Sequence, residues 1–402
     1  MKKVLFPRVR FKGFDEDWKE ERFGELLFRI NEKGYEFLET LTASKSGEML
    51  KRKSINYHIQ VAKESLKNYN RVLKNDFVLH LSTYESGLAY SKEIGITSPA
   101  YDVLRFFDKN NNDPIFFKYV FSNKKFINSL VPFTYGLRQG KSINLEELNK
   151  SLIEKTNISE QQKIGKLLDY ISNLINLEEI KLNKLKQLRE TLLQKMFPDG
   201  NSKTPRIRFR GFNEEWKEEK FGNILFRINE KGYEWLETLT ASKSGEMLKR
   251  KSINYKVQVS KESLKKYNRV LKNDFVLHLS TYESGLAYSD EIGITSPAYD
   301  ILRLFDKNNN YPLFWKYVFS NKIFINSLVP FTYGLREGKS INLEELNNNL
   351  VLKTNVSEQQ KIGDFFCKID TLINLYNSKL NKLKQIKEGL LQKNVCIRLI
   401  SV

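Results

Sequence analysis

Apolar residues recur at steps of three and four along two long stretches of the chain. The first stretch passes through Ile164, Leu168, Ile171, Ile175, Leu182, Leu185, Leu188 and Leu192, and the second through Ile362, Phe366, Ile369, Ile373, Tyr376, Leu380, Leu383 and Leu390. Such spacing places these side chains on one face of an α-helix. Each stretch predicts a helix of about 35 residues and roughly 50 Å, long enough for a coiled-coil seam. The alternative is an ordinary core-facing helix.

A shorter and less regular pattern precedes each long stretch. Runs such as NDFVLHLSTYES and YDVLRFF have the composition of short strands, while DPIFFKYVFSNKKFINSLV has a helical pattern. Ser159 followed by Gln162, and Ser357 followed by Gln360, fit a capping box at the start of each long helix. The sequence therefore predicts a mixed α+β fold.

The chain contains the same unit twice. Trp18 recurs as Trp216, His80 as His278 and Tyr135 as Tyr333, an offset of 198 positions each time. We find no insertion or deletion between residues 7–195 and residues 205–393, and roughly four in five positions are identical. A period this long is not that of a solenoid repeat. It indicates a tandem duplication of one globular segment followed by one long helix.

The order of these parts restricts how the two helices can pack. If the second globular segment is compact, the second helix begins close to the place where the first one ends. The simplest way to bury both apolar stripes is for the second helix to run back along the first. We therefore predict long helices that pair as an antiparallel coiled coil, with two α/β globular segments related by a pseudo-twofold axis.

The balance of charge indicates the kind of partner. The chain has 402 residues and carries 67 Lys and Arg against 48 Asp and Glu, a formal net charge of +19. A surplus of this size attracts polyanions, and nucleic acid is the usual one. Two equivalent heads related by a twofold also match the local symmetry of double-stranded DNA. The alternatives are a basic solvated surface and a spacer protein with two protein-binding heads.

Cysteine content and apolar segments indicate the compartment. Cys367 and Cys396 are the only cysteines, too few for a disulfide framework or a metal cluster. The N-terminal MKKVLFPRVRFKGF lacks the apolar run of a secretion signal, and no segment has the apolar length of a membrane span. We expect a cytoplasmic protein without membrane contact.

Gly-Lys-Ser triplets at Gly140 and Gly338 suggest a nucleotide-binding loop at first sight. Only three residues separate each triplet from the preceding glycine, Gly136 or Gly334, where a P-loop requires four. The backbone amides of such a segment cannot wrap a β-phosphate. The stretch predicts instead a basic turn offered to a DNA phosphate or base edge. The basic residues of the two turns are Arg138, Lys141, Arg336 and Lys339.

No other pattern predicts a catalytic centre. Asp113 begins a DPIF sequence that faintly resembles the acidic-Pro-Pro-aromatic motif of adenine methyltransferases, but Tyr311 replaces the acid in the second copy. Of the three histidines, His58 is absent from the second copy, and His80 and His278 lie in strand-like runs where a core role is expected. We expect no catalytic residue, no metal site and no cofactor; an unrecognised nuclease or methyltransferase site is the enzymatic alternative.

Two further segments supply candidate DNA contacts, ASKSGEMLKRKSINY and LSTYESGLAYS. Arginine can read guanine edges with two hydrogen bonds, whereas lysine more often holds phosphates. For each residue, a solvated charge or a packed tyrosine is the alternative. With the tyrosines that begin the basic turns, the candidate set also includes Lys45, Lys51, Arg52, Lys53, Tyr84, Tyr90 and Tyr135, and in the second copy Lys243, Lys249, Arg250, Lys251, Tyr282, Tyr288 and Tyr333.

Four motifs together resemble the specificity (S) subunit of type I restriction-modification systems. They are RFKGFDEDWKEERFGEL, SPAYDVLRF, the junction GLRQGKSINLEEL with SEQQKIG, and the helix end LNKLKQLRETLLQKMF. The resemblance covers nearly the whole chain, in both halves and in the family's order. The chain departs from the family in lacking a proline shortly before Glu160, and its C-terminal LLQKNVCIRLISV differs from the LLQKMFPDG of the first copy.

The resemblance implies a DNA reader without catalytic activity of its own. It implies target-recognition domains at residues 1–156 and 199–354, a spacer helix at 157–198, and a second spacer helix with the C-terminal tail at 355–402. The implied partners are two modification subunits that methylate adenine N6 with S-adenosylmethionine and, in some systems, restriction subunits that translocate and cleave DNA. The alternative is a standalone DNA-binding regulator or architectural protein.

The duplication adds an expectation about the DNA target. The two recognition segments differ mainly by conservative pairs such as Phe37/Trp235, Phe117/Trp315 and Val103/Ile301. Both heads are therefore expected to read the same or nearly the same half-sequence. The target would be an inverted repeat around an unread spacer.

Overall fold

The chain divides into two compact units. A computed structural model describes residues 7, 9–55, 62–80, 82–136, 142–200, 202–253, 260–334 and 340–394. The first unit comprises Met1–Glu179 and Ser378–Val402, and the second comprises Ile180–Asn377. Each unit holds one globular segment, the beginning of the long helix that follows it and the end of the other long helix.

The globular segment of the first unit, called head 1, consists of short strands and short helices. Its strands are β1 (Lys19–Arg22), β2 (Leu27–Ile30), β3 (Leu41–Ala43), β4 (Glu48–Lys51), β5 (Asn70–Val72), β6 (Phe77–Leu79), β7 (Ala89–Ser91), β8 (Gly95–Thr97), β9 (Asp102–Phe106), β10 (Thr134–Tyr135), β11 (Ser142–Ile143) and β12 (Leu152–Lys155). Its helices are α1 (Phe23–Leu26), α2 (Thr83–Ser86), α3 (Pro114–Phe121), α4 (Lys124–Ser129) and α5 (Leu145–Lys150).

A six-stranded sheet with the order β2-β9-β6-β7-β4-β3 forms the centre of head 1. Its neighbours are antiparallel except for β4 and β7, which run parallel. Three strand pairs lie outside this sheet: β1 with β12, β5 with β8 and β10 with β11. The first pair places Lys19 opposite Lys155 and so joins the start of the head to the strand that leads into the long helix.

Helix α3 lies at the centre of the core of head 1. The Asp113 carboxylate accepts a hydrogen bond from the Phe116 backbone N–H at 2.7 Å, and Pro114 occupies the first turn, where a proline is tolerated. Apolar residues surround the helix, so it is buried on nearly all sides. The Phe121 ring lies edge-on to Phe77 at 5.0 Å between centroids.

The globular segment of the second unit, head 2, repeats this architecture. Its strands are β13 (Lys217–Lys220), β14 (Leu225–Ile228), β15 (Leu239–Ala241), β16 (Met247–Lys249), β17 (Asn268–Val270), β18 (Phe275–Leu277), β19 (Ala287–Tyr288), β20 (Gly293–Thr295), β21 (Asp300–Leu304), β22 (Thr332–Tyr333), β23 (Ser340–Ile341) and β24 (Leu350–Lys353). Its helices are α7 (Phe221–Ile224), α8 (Lys261–Leu264), α9 (Thr281–Ser284), α10 (Pro312–Phe319), α11 (Lys322–Ser327) and α12 (Leu343–Leu346), numbered after the long helix α6. The central sheet has four strands, β14-β21-β18-β19, and Glu246 makes a single bridge to Tyr288 where head 1 pairs β4 with β7.

The two predicted long helices are confirmed as α6 (Ile158–Lys195) and α13 (Val356–Asn394), of 38 and 39 residues. The predicted capping box at Ser159 and Ser357 is wrong, because both serines already lie inside the first turn. Asn157 caps α6 instead, with its side-chain oxygen accepting from the Glu160 N–H at 3.0 Å, and Asn355 makes the same bond to Glu358.

Within each unit the two helix segments run antiparallel, as predicted. In the first unit, the Tyr119 hydroxyl donates to Ser172 of α6 at 2.9 Å, and the Lys387 ammonium of α13 lies 5.4 Å from the Tyr119 ring. Further along α6, Glu178 pairs with Lys379 at 2.9 Å, so residue numbers rise on α6 as they fall on α13.

The second unit shows the same direction. Arg189 of α6 pairs with Asp370 of α13 at 2.5 Å, while Phe197, just beyond the end of α6, stacks on Phe366 at 6.1 Å. The predicted apolar stripe needs one correction, because Leu188 is 51% exposed and lies outside the buried seam. None of the helices in the described part of the chain has the length and apolar composition needed to cross a bilayer.

Candidate nucleic-acid interface

The basic segment of head 1 forms the β3–β4 hairpin and the turn that follows it. Leu41 pairs with Lys51 across the hairpin, and Gly47 closes its tip with a φ of +75°, a conformation that favours glycine. Lys45 is exposed at this tip. Lys51 ends β4, and Arg52 and Lys53 begin a short 3₁₀ turn. The fold therefore brings the four predicted basic residues onto one short element.

Two of these lysines form ion pairs with neighbouring loops. Lys51 lies 3.3 Å from Glu93 and Lys53 lies 2.6 Å from Glu39. In head 2 the equivalent distances are 2.9 Å for Lys249 to Glu291 and 2.6 Å for Lys251 to Glu237. Exposed pairs of this kind contribute little to stability. A phosphate could replace either carboxylate at small cost.

Arg52 and Arg250 are held differently from the lysines. The guanidinium of Arg52 lies 5.9 Å from the centre of the Tyr69 ring, and that of Arg250 lies 6.0 Å from Tyr267. Among the described residues, none accepts a hydrogen bond from the Nε of either arginine. Both Nε atoms are themselves buried, while each arginine as a whole is partly exposed. Each guanidinium is therefore oriented by a tyrosine ring, and its exposed part suits a phosphate or a guanine edge.

The predicted tyrosines divide into three groups. Tyr135 and Tyr333 are 58% and 59% exposed on the β10–β11 and β22–β23 pairs. Tyr84 and Tyr282 are half-buried and pack against the head cores.

Tyr90 and Tyr288 require a correction. They are 1% and 4% exposed, and the Tyr90 hydroxyl donates to the Asn75 side chain at 2.6 Å. A side chain so enclosed cannot touch DNA, so these two residues belong to the core. They were predicted as contacts because an alternating strand pattern does not show which face is solvated.

The basic turns with Arg138, Lys141, Arg336 and Lys339 lie outside the described residues. The strands that flank them are described, and Thr134 lies opposite Ile143 in an antiparallel pair. A P-loop connects a strand to a helix. The antiparallel pair on either side of the first turn agrees with the rejection of a nucleotide site there.

An exposed aromatic turn in each head was not among the predicted contacts. Phe37 and Trp235 are 78% and 72% exposed, beside Tyr35 and Tyr233. The signal in the sequence was a pair of large aromatic residues in an otherwise polar segment after a glycine, present in both copies.

Each head is seated on its long helix by the Glu-Gln pair of the SEQQ motif. Glu160 is fully buried and accepts two hydrogen bonds from Arg10, at 2.7 and 2.8 Å, and a third from the Thr156 hydroxyl. The bonds to Glu160 raise the pKa of Arg10 further above its ordinary value. Gln161 accepts from the Asp113 N–H at 2.8 Å and donates to the Thr156 carbonyl at 2.6 Å. Glu358 and Gln359 make the same contacts in the second unit.

Comparison with known proteins gives one informative likeness. No protein-family model and no curated protein matches the sequence. Among solved structures, the type I restriction-modification S subunit from M. genitalium is 15% identical, with a TM-score of 0.59, and the match covers 97% of this chain and 98% of that chain. This chain has the fold of a type I S subunit.

Two other solved structures match with lower TM-scores. The HsdS subunit from Thermoanaerobacter tengcongensis is 14% identical, with a TM-score of 0.44 and coverage of 94% and 96%. A chain from a structure describing complex assembly and conformational transition of the type I R-M system is 13% identical, with a TM-score of 0.48 and coverage of 94% and 97%.

The S-subunit fold agrees with the predicted mixed α+β architecture and with the resemblance of the sequence motifs. His80 and His278 are both buried, at 6% and 7% exposed. Burial lowers the pKa of each to about 4, so both are neutral near pH 7. The His80 Nδ1 accepts from the Ser82 N–H at 3.3 Å, at the start of α2. Within the described ranges, no cluster of His, Cys, Asp and Glu side chains could hold a metal ion.

Proposed function

We propose that this chain is the DNA-specificity subunit of a type I restriction-modification complex. The observation that carries the proposal is the presence of two heads with the same architecture in an S-subunit fold, each presenting the same basic hairpin and the same stacked arginine. In this proposal, residues 1–156 and 199–354 are target-recognition domains, and residues 157–198 and 355–402 supply the spacer helices and tail.

The chain reads DNA in this scheme and performs no chemistry. Two modification subunits bind it and methylate adenine, and restriction subunits join where the system contains them. The formal net charge of +19 supports a polyanionic partner. The basic residues of the two hairpins and the exposed Tyr135 and Tyr333 form the proposed DNA-facing set, with Arg138, Lys141, Arg336 and Lys339 as further members.

The near identity of the heads supports a symmetric target. Each head offers the same arginine stacked on the same tyrosine, Arg52 on Tyr69 and Arg250 on Tyr267. Two equal readers placed by antiparallel helices would read the same half-sequence on opposite strands. The proposed target is an inverted repeat with an unread spacer.

The test is to map N6-methyladenine across the genome by long-read sequencing in cells with and without this gene. We expect one bipartite motif with inverted half-sites, fully methylated in the parent strain and unmethylated in the deletion strain. Two unrelated half-sites would refute the symmetric target alone. An unchanged methylation pattern would refute the function itself.

Purification of the tagged chain separates this function from a standalone regulator. The specificity subunit should co-purify with an adenine methyltransferase at two copies per chain. Recovery of the chain alone, with sequence-specific DNA binding intact, would favour a regulator. Methylation of DNA by the isolated chain with S-adenosylmethionine would favour an enzyme.

A further inference from the structure

Each head has one solvent-exposed aromatic side chain at the tip of an equivalent turn. The Leu38 N–H donates to the Tyr35 carbonyl at 2.9 Å, which puts Phe37 at the third position of a β-turn. In head 2, Leu236 donates to Tyr233 at 3.0 Å and places Trp235 at the same position. The exposed fractions are 78% for Phe37 and 72% for Trp235. In both heads a large ring remains in water and gains no free energy of burial. A bound partner that covered the ring would supply that burial.

In head 1 the exposed Phe37 ring is supported by Tyr35 and Arg71, an arrangement called the platform. The Arg71 guanidinium lies 4.4 Å above the Tyr35 ring, and its Nη1 donates to the Tyr35 hydroxyl at 3.2 Å. The Tyr35 ring in turn lies 6.0 Å from the Phe37 ring. A guanidinium on one face of a tyrosine restricts the ring, and the restricted ring supports its neighbour.

Further contacts anchor this platform in the central sheet. Glu32 pairs with Arg71 at 3.4 Å and with Arg105 of β9 at 3.0 Å. Arg105 also makes two bonds of 2.8 Å to Asp76, which is 1% exposed. A chain of charged contacts therefore runs from the core of head 1 to the base of the exposed ring.

Head 2 repeats the platform. Arg269 lies 4.4 Å above Tyr233 and pairs with Glu230 at 3.1 Å. The Tyr233 and Trp235 rings are closer together, at 5.4 Å. The geometry is thus preserved while the exposed ring changes from phenylalanine to tryptophan, and a large planar surface is what the two residues share.

The chemistry next to the turn indicates what the ring meets. The backbone N–H of Arg52 donates to the Thr40 carbonyl at 2.8 Å, which extends the β3–β4 hairpin to within two residues of Leu38, the last residue of the turn. Lys53 pairs with Glu39. A planar apolar ring beside exposed basic side chains is suited to a base and its phosphate, since aromatic side chains stack on bases and basic groups hold the backbone.

We propose, resting on the proposed DNA-reading function, that Phe37 and Trp235 stack on bases of the bound DNA, one in each half-site. Each ring binds an exposed base face or enters a base step as a wedge. Because stacking is tolerant of base identity, these residues contribute affinity and position each head on its half-site. The basic hairpin and Arg52 or Arg250 then meet the adjacent backbone and base edges.

The chain offers a direct optical test. It contains four tryptophans, and Trp18, Trp216 and Trp315 are each at most 2% exposed, which leaves Trp235 as the one open to solvent. The complex of the full chain with its co-purifying methyltransferase is titrated with a duplex carrying the methylated motif found by mapping. The emission of Trp235 is isolated as the difference between the natural complex and a complex with Trp235→Phe, which keeps a ring in place.

The expected result is a loss of acrylamide quenching of the Trp235 emission when the motif duplex binds, but not when a scrambled duplex is added. Trp235→Ser is expected to weaken motif binding about tenfold, and Trp235→Phe much less. Phe37→Trp should add a second emission that is shielded in the same way. As a control, Phe305→Ser removes another exposed ring of head 2, which is 58% exposed and packs on Phe226, and it should leave affinity unchanged.

The outcomes separate this inference from the function on which it rests. If the motif duplex binds but Trp235 stays accessible and Trp235→Ser binds normally, the stacking inference fails and the DNA-reading function stands. If Trp235→Ser instead releases the methyltransferase, the exposed ring is a protein-docking residue and the inference is overturned. If mapping yields no motif that depends on this gene, both fail together.

Discussion

Arg10 and Glu160 form a two-point ion pair although 150 residues separate them in the sequence. The Nε–Oε1 and Nη2–Oε2 distances are 2.7 and 2.8 Å, and Glu160 has no exposed surface. Arg208 and Glu358 repeat the pair in the second unit at 2.6 and 2.8 Å. The pair joins the beginning of a head to the first turn of the helix that leaves it, so it determines how the head is seated.

Loss of Arg10 should destabilise the first unit strongly. Arg10→Met leaves a buried carboxylate without its cation, which typically costs about 3–5 kcal/mol. The measurement is the free energy of unfolding in urea, followed by near-ultraviolet circular dichroism. Arg206→Met is the control, because its pair with Asp199 is exposed and should contribute at most about 1 kcal/mol. Equal losses in the two variants would contradict a special role for the buried pair.

The KIG glycine is predicted to be needed for close packing of helix on head. A Cβ added at Gly165 would lie 2.8 Å from the Phe116 backbone nitrogen and 2.9 Å from the Asp113 carboxylate. Gly165→Ala should therefore cost about 1–3 kcal/mol through overpacking. Gly389→Ala is the matched helical control, since a Cβ there meets nothing within 4 Å. Gly389→Ala should stabilise the chain by roughly 0.5–1 kcal/mol, because alanine is favoured over glycine inside a helix. A decrease in the free energy of unfolding of this variant would contradict that expectation.

Stability should fall as the solution is made mildly acidic. Burial lowers the pKa of His80 and His278 from an ordinary 6.5 to about 4. Between these values the unfolded chain binds protons that the folded chain does not, so the unfolded state gains as pH falls. The expected loss is about 1 kcal/mol per histidine between pH 7 and pH 5.5.

The doubly substituted His80→Gln, His278→Gln chain provides the comparison for this pH dependence. It retains His58 and all carboxylates, so any acid sensitivity that persists unchanged in it comes from groups other than the two buried histidines. Thermal unfolding midpoints at pH 7.0, 6.0 and 5.5 are sufficient to distinguish the two slopes.

The stacked arginines should carry specificity. Arg52→Ala or Arg250→Ala is expected to weaken binding of the motif duplex by about 1–3 kcal/mol if the guanidinium reads a base. The slope of affinity against salt should instead fall by about one counterion if it holds a phosphate. Fluorescence anisotropy at several salt concentrations measures both quantities. Unchanged affinity together with an unchanged salt slope would remove these arginines from the interface.

Substitution of the buried tyrosines should leave the affinity for DNA unchanged. Tyr90→Phe removes only the hydroxyl that donates to Asn75, at a cost to stability of about 1 kcal/mol. The affinity for the motif duplex should stay the same. A marked loss of affinity without a loss of stability would return Tyr90 to the set of DNA contacts.

Much of the architecture could be predicted because it depends on local periodicity. Steps of three and four along Ile164, Leu168 and Ile171 indicate a helix from the local pattern alone. Because the unit is duplicated, the same pattern predicts the equivalent element in the second copy. The antiparallel direction followed from connectivity, since a compact segment returns the chain to the place where it left the first helix. The basic segment around Arg52 could be identified because charge is a property of composition, whereas its hairpin conformation came from the structure.

The sequence by itself determined the two long helices, the mixed heads and the basic character of the segment around Arg52. The tertiary structure decided which groups face solvent and which residue begins each helix. Asn157, and not Ser159, caps α6, and Glu160 in the first turn is buried against Arg10 and Thr156. Tyr90 is enclosed while Phe37 is exposed, and of the two only Tyr90 was predicted from the sequence as a DNA contact. Burial depends on contacts between distant segments, and the spacing of neighbouring residues contains no record of those contacts.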